Sequence, residues 1–374
     1  MAKPNLFEYA PSELSQDAVL CWLAAWARPE AAAEDHELHQ LGLRYVGRLL
    51  ETHGRSPIAI SSLEVKRQYK GIDVLLLINN GLAVCIEDKA GTTERSNQLV
   101  RYVEMLRSEG HAPDDIVPIY VQTFEQGNYR AVEAAGYATV SRKALLAVLE
   151  PYAILPSANA IVRDFYDRLN DLDRDVDSFR HKPLANWTSL AWRGFYRELQ
   201  ARLGNGDWGY VANPTGGFDG YWWHGRDITE CRLYLQLEQI LSSDGQSKEG
   251  TLCFKISVEH RDSRSRIRGR THARLLEVAQ RYGLEVVRPR RFGHGATMTV
   301  GLLVTDYRVT DGMGRLDLEA TVTRLRRAEV VLEALALNEA GASALKAGIP
   351  LCRLRPGKTD HRREVPSVLL SRGR

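Results

Sequence analysis

Residues 72–90 read Ile72-Asp73-Val74-Leu75-Leu76-Leu77-Ile78-Asn79-Asn80-Gly81-Leu82-Ala83-Val84-Cys85-Ile86-Glu87-Asp88-Lys89-Ala90. Two apolar, β-rich runs, Ile72–Asn79 and Leu82–Ala90, flank an Asn-Asn-Gly step, the signal of a tight antiparallel hairpin. Side chains alternate faces along a strand, so Ala83, Cys85, Glu87 and Lys89 share one face and Leu82, Val84, Ile86 and Asp88 the other. A turn centred on Asn80 pairs residues whose numbers sum to about 160, which puts Asp73 across from Glu87. A carboxylate in so apolar a strand is costly unless it is paired or bound to a cation. The hairpin therefore predicts two acids and an ammonium on one small patch.

That patch suits phosphodiester hydrolysis. Asp73 and Glu87 supply hard oxygen ligands for Mg²⁺ or Mn²⁺, and the Asp88 carbonyl could add a third. The ion would polarise a phosphate oxygen and lower the pKa of a bound water. Lys89 would position or deprotonate that water, or steady the charge of the pentavalent transition state. A solvated, salt-bridged hairpin satisfies the same spacing, and the residues alone leave both readings open.

Outward from the hairpin, Ser15–Ala27 reads as a helix with Ser15 as N-cap, and Glu34–Thr52 as a second with an apolar stripe. Ile58–Arg67 reads as the strand before the hairpin. Glu94–Arg107 reads as a helix, Ile116–Gln122 and Tyr137–Val140 as strands, and Arg142–Glu150 as a helix. The order predicts a mixed α/β layer. Asp73, thirteen further residues and then Glu87-Asp88-Lys89 resemble the D-x(n)-E-x-K signature of the PD-(D/E)XK nuclease superfamily, with Ile72 where the signature's proline would stand. Gln98-Leu99-Val100-Arg101-Tyr102 is similar to the Q-x-x-x-Y helix that follows that signature in many members. Glu64 matches an extra acid placed ahead of the core aspartate, and Ser12–Ala18 resembles the start of an uncharacterised bacterial branch, whose first-helix acid would be Asp17 or Glu13.

The resemblance covers roughly residues 5–150 and implies a restriction-endonuclease-like αβββαβ core. It further implies catalytic roles for Asp73, Glu87, Lys89, Gln98 and Glu64 and metal ligation by Asp73, Glu87 and the Asp88 carbonyl. Gln98 would touch the metal-bound water or the phosphate, with Tyr102 one turn on beside it as a nucleic-acid contact. The implied protein is a metal-dependent nuclease acting on DNA, in phage defence or DNA repair. A catalytically silent nuclease fold that binds nucleic acid or a partner is the alternative.

The 374 residues suggest two domains, divided near Pro151–Ala158 into 1–152 and 153–374. Hydrophobic residues at 44% and charged residues at 26% are ordinary for a globular protein. The apolar runs fall short of the ~20 residues of a membrane span, and no signal-peptide core follows Met1, so a cytoplasmic location is expected. Cys21, Cys85, Cys231, Cys253 and Cys352 are scattered without a C-x-x-C, which argues against a zinc site or disulfide framework.

The second half reads as α+β: helices Ile161–Phe179, Leu190–Leu203, Thr271–Tyr282 and Leu316–Leu337, and strands Leu252–Glu259 and Thr297–Val304. The aromatic stretch from Trp208 to His224 could stack on bases and is read as a small β-domain core. Arg264, Arg266, Arg268 and Arg270 fall in an arginine run read as a loop that could track a phosphate backbone. With the tail Arg353–Arg374 they point to a polyanion partner, substrate DNA included, despite a net charge of only +3. The second half could instead sense a ligand or hold a homodimer.

Overall fold

The computed structural model describes residues 4–10, 12–89, 97–211, 217–241 and 247–346. Asn79 and Asn80 both take left-handed backbone, with φ of 52° and 57°, the paired geometry of a two-residue turn whose twist matches its strands. They join strand β2 (Ile72–Ile78) to β3 (Leu82–Lys89). Val74 faces Ile86 and Ile78 faces Leu82, the register expected from the sequence. Strand β1 (Leu63–Tyr69) lies antiparallel on the other side of β2. It starts later than the expected Ile58–Arg67. The Asn79 carboxamide bonds the backbone of Ala59, Ser61 and Ser62, so a side chain takes the place of a strand ladder there.

Strands β4 (Ile116–Gln122) and β5 (Ala138–Ser141) add in parallel. The sheet order is β1-β2-β3-β4-β5. The crossover from β3 to β4 carries helix α4 (Gln98–Ser108). Its Leu99, Tyr102 and Leu106 pack with Leu75, Ala83 and Cys85 on one face of the sheet. Helices α1 (Leu6–Tyr9), α2 (Glu13–Ala25), α3 (His36–Glu51), α6 (Arg142–Ala153) and α7 (Ala160–Asp177) cover the other face against Val74, Leu76, Val84 and Ile86. A short helix, α5 (Arg130–Ala134), precedes β5. Helix α2 begins one turn before the expected Ser15, because the Ser12 hydroxyl accepts from the Ser15 amide and caps the end.

The first core does not stop at Pro151–Ala158. Ala158, Val162, Phe165, Leu169, Leu172 and Val176 belong to it, because the apolar stripe of α7 packs on α6 and α1. The second core begins at Phe179. It lies between an antiparallel sheet of order β10-β11-β9-β8-β7-β6 and helices α8 (Ser189–Leu203), α9 (Arg264–Arg281) and α10 (Leu318–Lys346). The strands are β6 (Asp207–Val211), β7 (Phe218–Ile228), β8 (Cys231–Leu241), β9 (Ser247–Ser257), β10 (Val286–Val287) and β11 (Thr297–Leu303). Trp208, Tyr221 and Trp223 of the aromatic stretch are buried there with Trp192 and Tyr196, so these three form core, while Tyr210 is exposed. The expected α+β second half is present.

The loop after β4 joins the two halves. Asn128 donates to Asp207 over 2.5 Å and Gln200 to the Gly127 carbonyl over 3.0 Å. A Cβ on Gly127 would stand 2.1 Å from the Trp208 carbonyl oxygen, so only glycine permits this approach.

Among the described residues no helix is long and apolar enough to cross a membrane, and Cys21, Cys85, Cys231 and Cys253 are free. Cys352 and the Arg353–Arg374 tail lie outside the described residues.

Candidate active site

Asp73 opens β2 and Glu87 and Lys89 close β3, so the hairpin register carries all three to one end of the sheet. The Asp88 amide donates to Asp73 Oδ2 over 2.9 Å, which draws the Asp73 carboxylate across to β3. Lys89 Nζ bonds Glu87 Oε1, donates to the Asp88 carbonyl over 3.1 Å and stands 3.9 Å from Asp73 Oδ2. Helix α4 enters through Asn97 in left-handed conformation, and its first residue, Gln98, donates to Glu87 Oε1 over 2.9 Å and to the Tyr102 hydroxyl over 2.7 Å. The Tyr102 hydroxyl in turn donates to the Gly71 carbonyl over 2.5 Å. Glu87 is thus held from α4, and Gln98 is itself held.

A second set of groups lies behind β3. The Asp88 side chain points to the α2 face, fully buried, and accepts from Gln16 Nε2 over 2.5 Å. Thr123 donates to the other end of that carboxamide over 3.0 Å. Gln68, held at φ of 53° in β1, donates to Asp17 Oδ2 over 2.9 Å and to Asp73 Oδ1 over 3.0 Å. Helix α2 therefore reaches Asp73 through Gln68.

Burial dominates the electrostatics. It pushes the Glu87 carboxyl up to about 7, with Asp73 adding repulsion and Lys89 pulling back. Burial and Asp73 push Asp17 up to about 6, and burial lifts Asp88 well above the usual carboxylate range. Burial disfavours the Lys89 ammonium, but Glu87, Asp73 and Glu13 outweigh it and leave its pKa raised. Several acids pushed up around a charged lysine in one cluster is the pattern expected of a functional site.

The donor set fits a hard divalent cation. Asp73 and Glu87 offer carboxylate oxygens, the Asp88 carbonyl faces the same space, and Glu87 Oε2 is buried without a hydrogen-bond partner. Lys89 stands as the counter-charge between the acids. Among the described residues no three His, Cys, Asp or Glu side chains are grouped at ligating distance. An ion here would be bound by two side chains and a carbonyl and would complete its shell with water or phosphate oxygens, which is how Mg²⁺ is commonly held.

Of the residues singled out in the sequence, Asp73, Glu87, Lys89, Gln98 and the Asp88 carbonyl meet here, with Asp17 behind them and Glu13 close enough to act on Lys89. Glu64 does not join. It faces Leu77, mostly exposed and paired with Lys66 over 3.2 Å. Because β1 runs antiparallel to β2, its beginning lies at the hairpin-turn end, about 13 Å from Asp73 at ~3.3 Å per residue. Tyr102 is 8% exposed. It presents no open face to a base and anchors Gln98 instead. Gln16, Gln68 and Thr123 are not singled out as site residues by the sequence.

The arginine run is not a loop. It forms a short 3₁₀ turn, Arg261–Ser263, and the first turns of α9. Arg264 donates to the carbonyls of Val258 and Glu259, Arg266 and Arg270 bind Glu230, and Arg268 donates to the Gly293 carbonyl.

Residues 35–176 match the family model of the PD-(D/E)XK nuclease superfamily. The match contains Asp73, Glu87, Lys89 and Gln98, and the mixed sheet with its flanking helices agrees with the restriction-endonuclease-like fold. It supports a nuclease-type function. No curated protein and no solved structure matches the chain.

Proposed function

From the match of residues 35–176 to the PD-(D/E)XK superfamily, we propose that this chain is a nuclease that hydrolyses DNA with Mg²⁺ or Mn²⁺ held by Asp73, Glu87 and the Asp88 carbonyl. Phage defence or DNA repair is the setting that the resemblance suggests. The carrying observation is the meeting of Asp73, Glu87 and Lys89 in one cluster with a buried, unpartnered Glu87 oxygen. The bound ion would supply charge neutralisation and a water of lowered pKa.

The protein's own groups do the remaining work. Asp73 is fixed by the Asp88 amide and Gln68, so its free lone pairs are aimed before any ligand arrives. Gln98 holds Glu87 from the side and can turn an N–H to a phosphate oxygen or water. The Lys89 ammonium, now on Glu87 Oε1, stands beside the same space and would donate to a phosphate oxygen as negative charge develops. Its raised pKa favours this charge-stabilising role over that of a base.

The direct Lys89–Glu87 pair is also what a closed, silent site would show, and that reading makes the opposite prediction. Wild-type protein should nick supercoiled plasmid with Mg²⁺ or Mn²⁺ and stop with EDTA. Lys89→Ala should lose about 10³-fold in rate. Undiminished cleavage by Lys89→Ala would remove the assignment, and wild-type binding without nicking would favour the silent module.

A further inference from the structure

The arginines around α9 divide into two groups. Arg266 and Arg270, four apart on one helix face, both bind Glu230 over 2.7 and 2.6 Å, and Arg264 folds back on main-chain carbonyls. These are satisfied within the chain. Arg268 instead reaches residues 288–294. It donates to the Gly293 carbonyl over 2.6 Å and lies 4.8 Å from the Phe292 ring centre. Arg288 lies 4.4 Å from the same centre, and His272, tied to the Val300 carbonyl, meets the ring edge-on at 5.2 Å. Phe292 is pinned to α9 by the Arg268 guanidinium and the His272 imidazole, Arg288 of its own segment covers the ring, and Pro289 is buried.

The result is a shaped segment with exposed charge. Arg288, Arg290 and Arg291 are exposed, and among the described residues none of them has a carboxylate partner. Three uncompensated charges within four residues repel one another. A free run would relieve this by spreading into solvent, but the pinned Phe292 and the buried proline oppose that. The composition is also selective. From Val258 to Gly295 there are ten arginines and no lysine. Arginine's planar fork matches phosphate oxygens bidentately and stacks on bases, whereas attraction to an anionic membrane is served equally by lysine.

We propose that the segment from Arg288 to His294, pinned on α9 by Phe292, binds the phosphodiester backbone of nucleic acid, on the half of the chain that does not carry the hydrolytic site. The ligand class rests on the nuclease reading above; the surface rests on α9 and its neighbours alone.

Binding can be tested without cleavage. Anisotropy of a labelled oligonucleotide, single- and double-stranded, would be measured on the full chain in Ca²⁺ or EDTA across a salt series. The triple variant Arg288→Ala, Arg290→Ala, Arg291→Ala should bind about tenfold more weakly or worse, with the log–log salt slope reduced by about 2–3 at ~0.9 per lost phosphate contact. Its melting temperature should fall only slightly, since the three side chains are exposed and Arg288 alone gives up a contact, that with the Phe292 ring. Phe292→Ala keeps all the charge and should still weaken binding about threefold, as preorganisation is lost.

Wild-type affinity and slope in the triple variant overturn the proposal, as does binding to vesicles of about one-third phosphatidylserine in place of the oligonucleotide. Wild-type binding by Phe292→Ala overturns the pinned-segment reading. Binding through this surface by a chain that never cuts would sink the hydrolysis reading and leave this one standing; cutting with unaltered binding in the triple variant would do the reverse.

Discussion

Glu87 and Glu230 are both acids held by basic side chains, yet their surroundings move them in opposite directions. Glu230 lies near the surface between Arg266 and Arg270, whose hydrogen bonds hold its carboxyl below the usual range. Asp306, elsewhere in the second half, is lowered too: burial works against it, and Arg308 overcomes the burial. Glu87 has Lys89 on one oxygen, but full burial and Asp73 win and push it up to about 7. These two carboxylates of the second half are therefore neutralised by their arginine partners, unlike the buried Asp219, which burial pushes up. Those at the end of β3 are crowded, desolvated and left with an unpartnered oxygen, an arrangement that a bound cation would relieve.

The largest break in this contrast should come from Asp73→Ala. It removes one proposed ligand and the repulsion on Glu87 together. Cleavage should fall by at least about 10³-fold, or ~4 kcal/mol in barrier. Added Mn²⁺, expected to raise the wild-type melting temperature by binding only the folded state, should no longer do so. A variant that still gains thermal stability from Mn²⁺ would place the ion elsewhere.

The next effect is on stability. Glu87 keeps its proton in the folded chain up to about 7, against an ordinary value of 4.5, and Asp17 up to about 6 against 3.8. Between these values the folded state binds more protons than the unfolded one, so stability is lost as pH rises through the window. For Glu87 the loss is at most about 3 kcal/mol at ~1.4 kcal/mol per pH unit. Urea unfolding in EDTA at pH 5 and pH 8 should show it, and Glu87→Gln should lose clearly less. A wild type equally stable at both pH values would mean that the cluster is wetter than its burial implies. Two acids of the second half behave oppositely. Glu230 and Asp306 contribute stability above their ordinary values and lose it as pH falls below them.

The sequence made the hairpin legible because local chemistry alone specifies it: an Asn-Asn-Gly turn, period-two alternation, and one acid in an apolar strand. Asp73, Glu87 and Lys89 followed from that register, and Gln98 from the family resemblance alone. What escaped depends on long-range contacts. Nothing local shows that Gln68 takes positive φ, or that α2 lays Gln16 and Asp17 behind β3. Glu64 was misplaced because an acid near a motif says nothing about strand direction. The α9 arginines read as a loop because a charged run has no apolar stripe; Ile267, Thr271 and Leu275, buried on one face, are the stripe, spaced four apart and diluted by charge.

Gln68 offers a finer test, since it touches both acidic groups. Gln68→Ala should leave the ligands in place but free Asp73 to rotate and leave Asp17 without its donor. Loss of a group that orients a metal ligand commonly lowers affinity or activity by 10–100-fold, and about tenfold is expected in Mn²⁺ affinity by titration calorimetry. Gln68→Glu, which adds a third negative charge beside Asp17 and Asp73, should not rescue it. Unchanged Mn²⁺ affinity in Gln68→Ala would show that the Asp88 amide alone fixes Asp73.

The smallest effect belongs to Glu230, and it sharpens the contrast from the other side. Its carboxylate is at the surface, where ion pairs contribute roughly 0–1 kcal/mol, although two arginines share it. Glu230→Gln should therefore lower stability by less than about 1 kcal/mol. Arg266 and Arg270 then lose their counter-charge, so nucleic-acid affinity should rise slightly at low salt, while cleavage chemistry under saturating substrate stays at the wild-type rate. A large stability loss would instead make Glu230 the clamp between the β7–β8 turn and α9. The phosphate-binding segment would then depend on it for its shape, because α9 carries the Arg268 and His272 that hold Phe292.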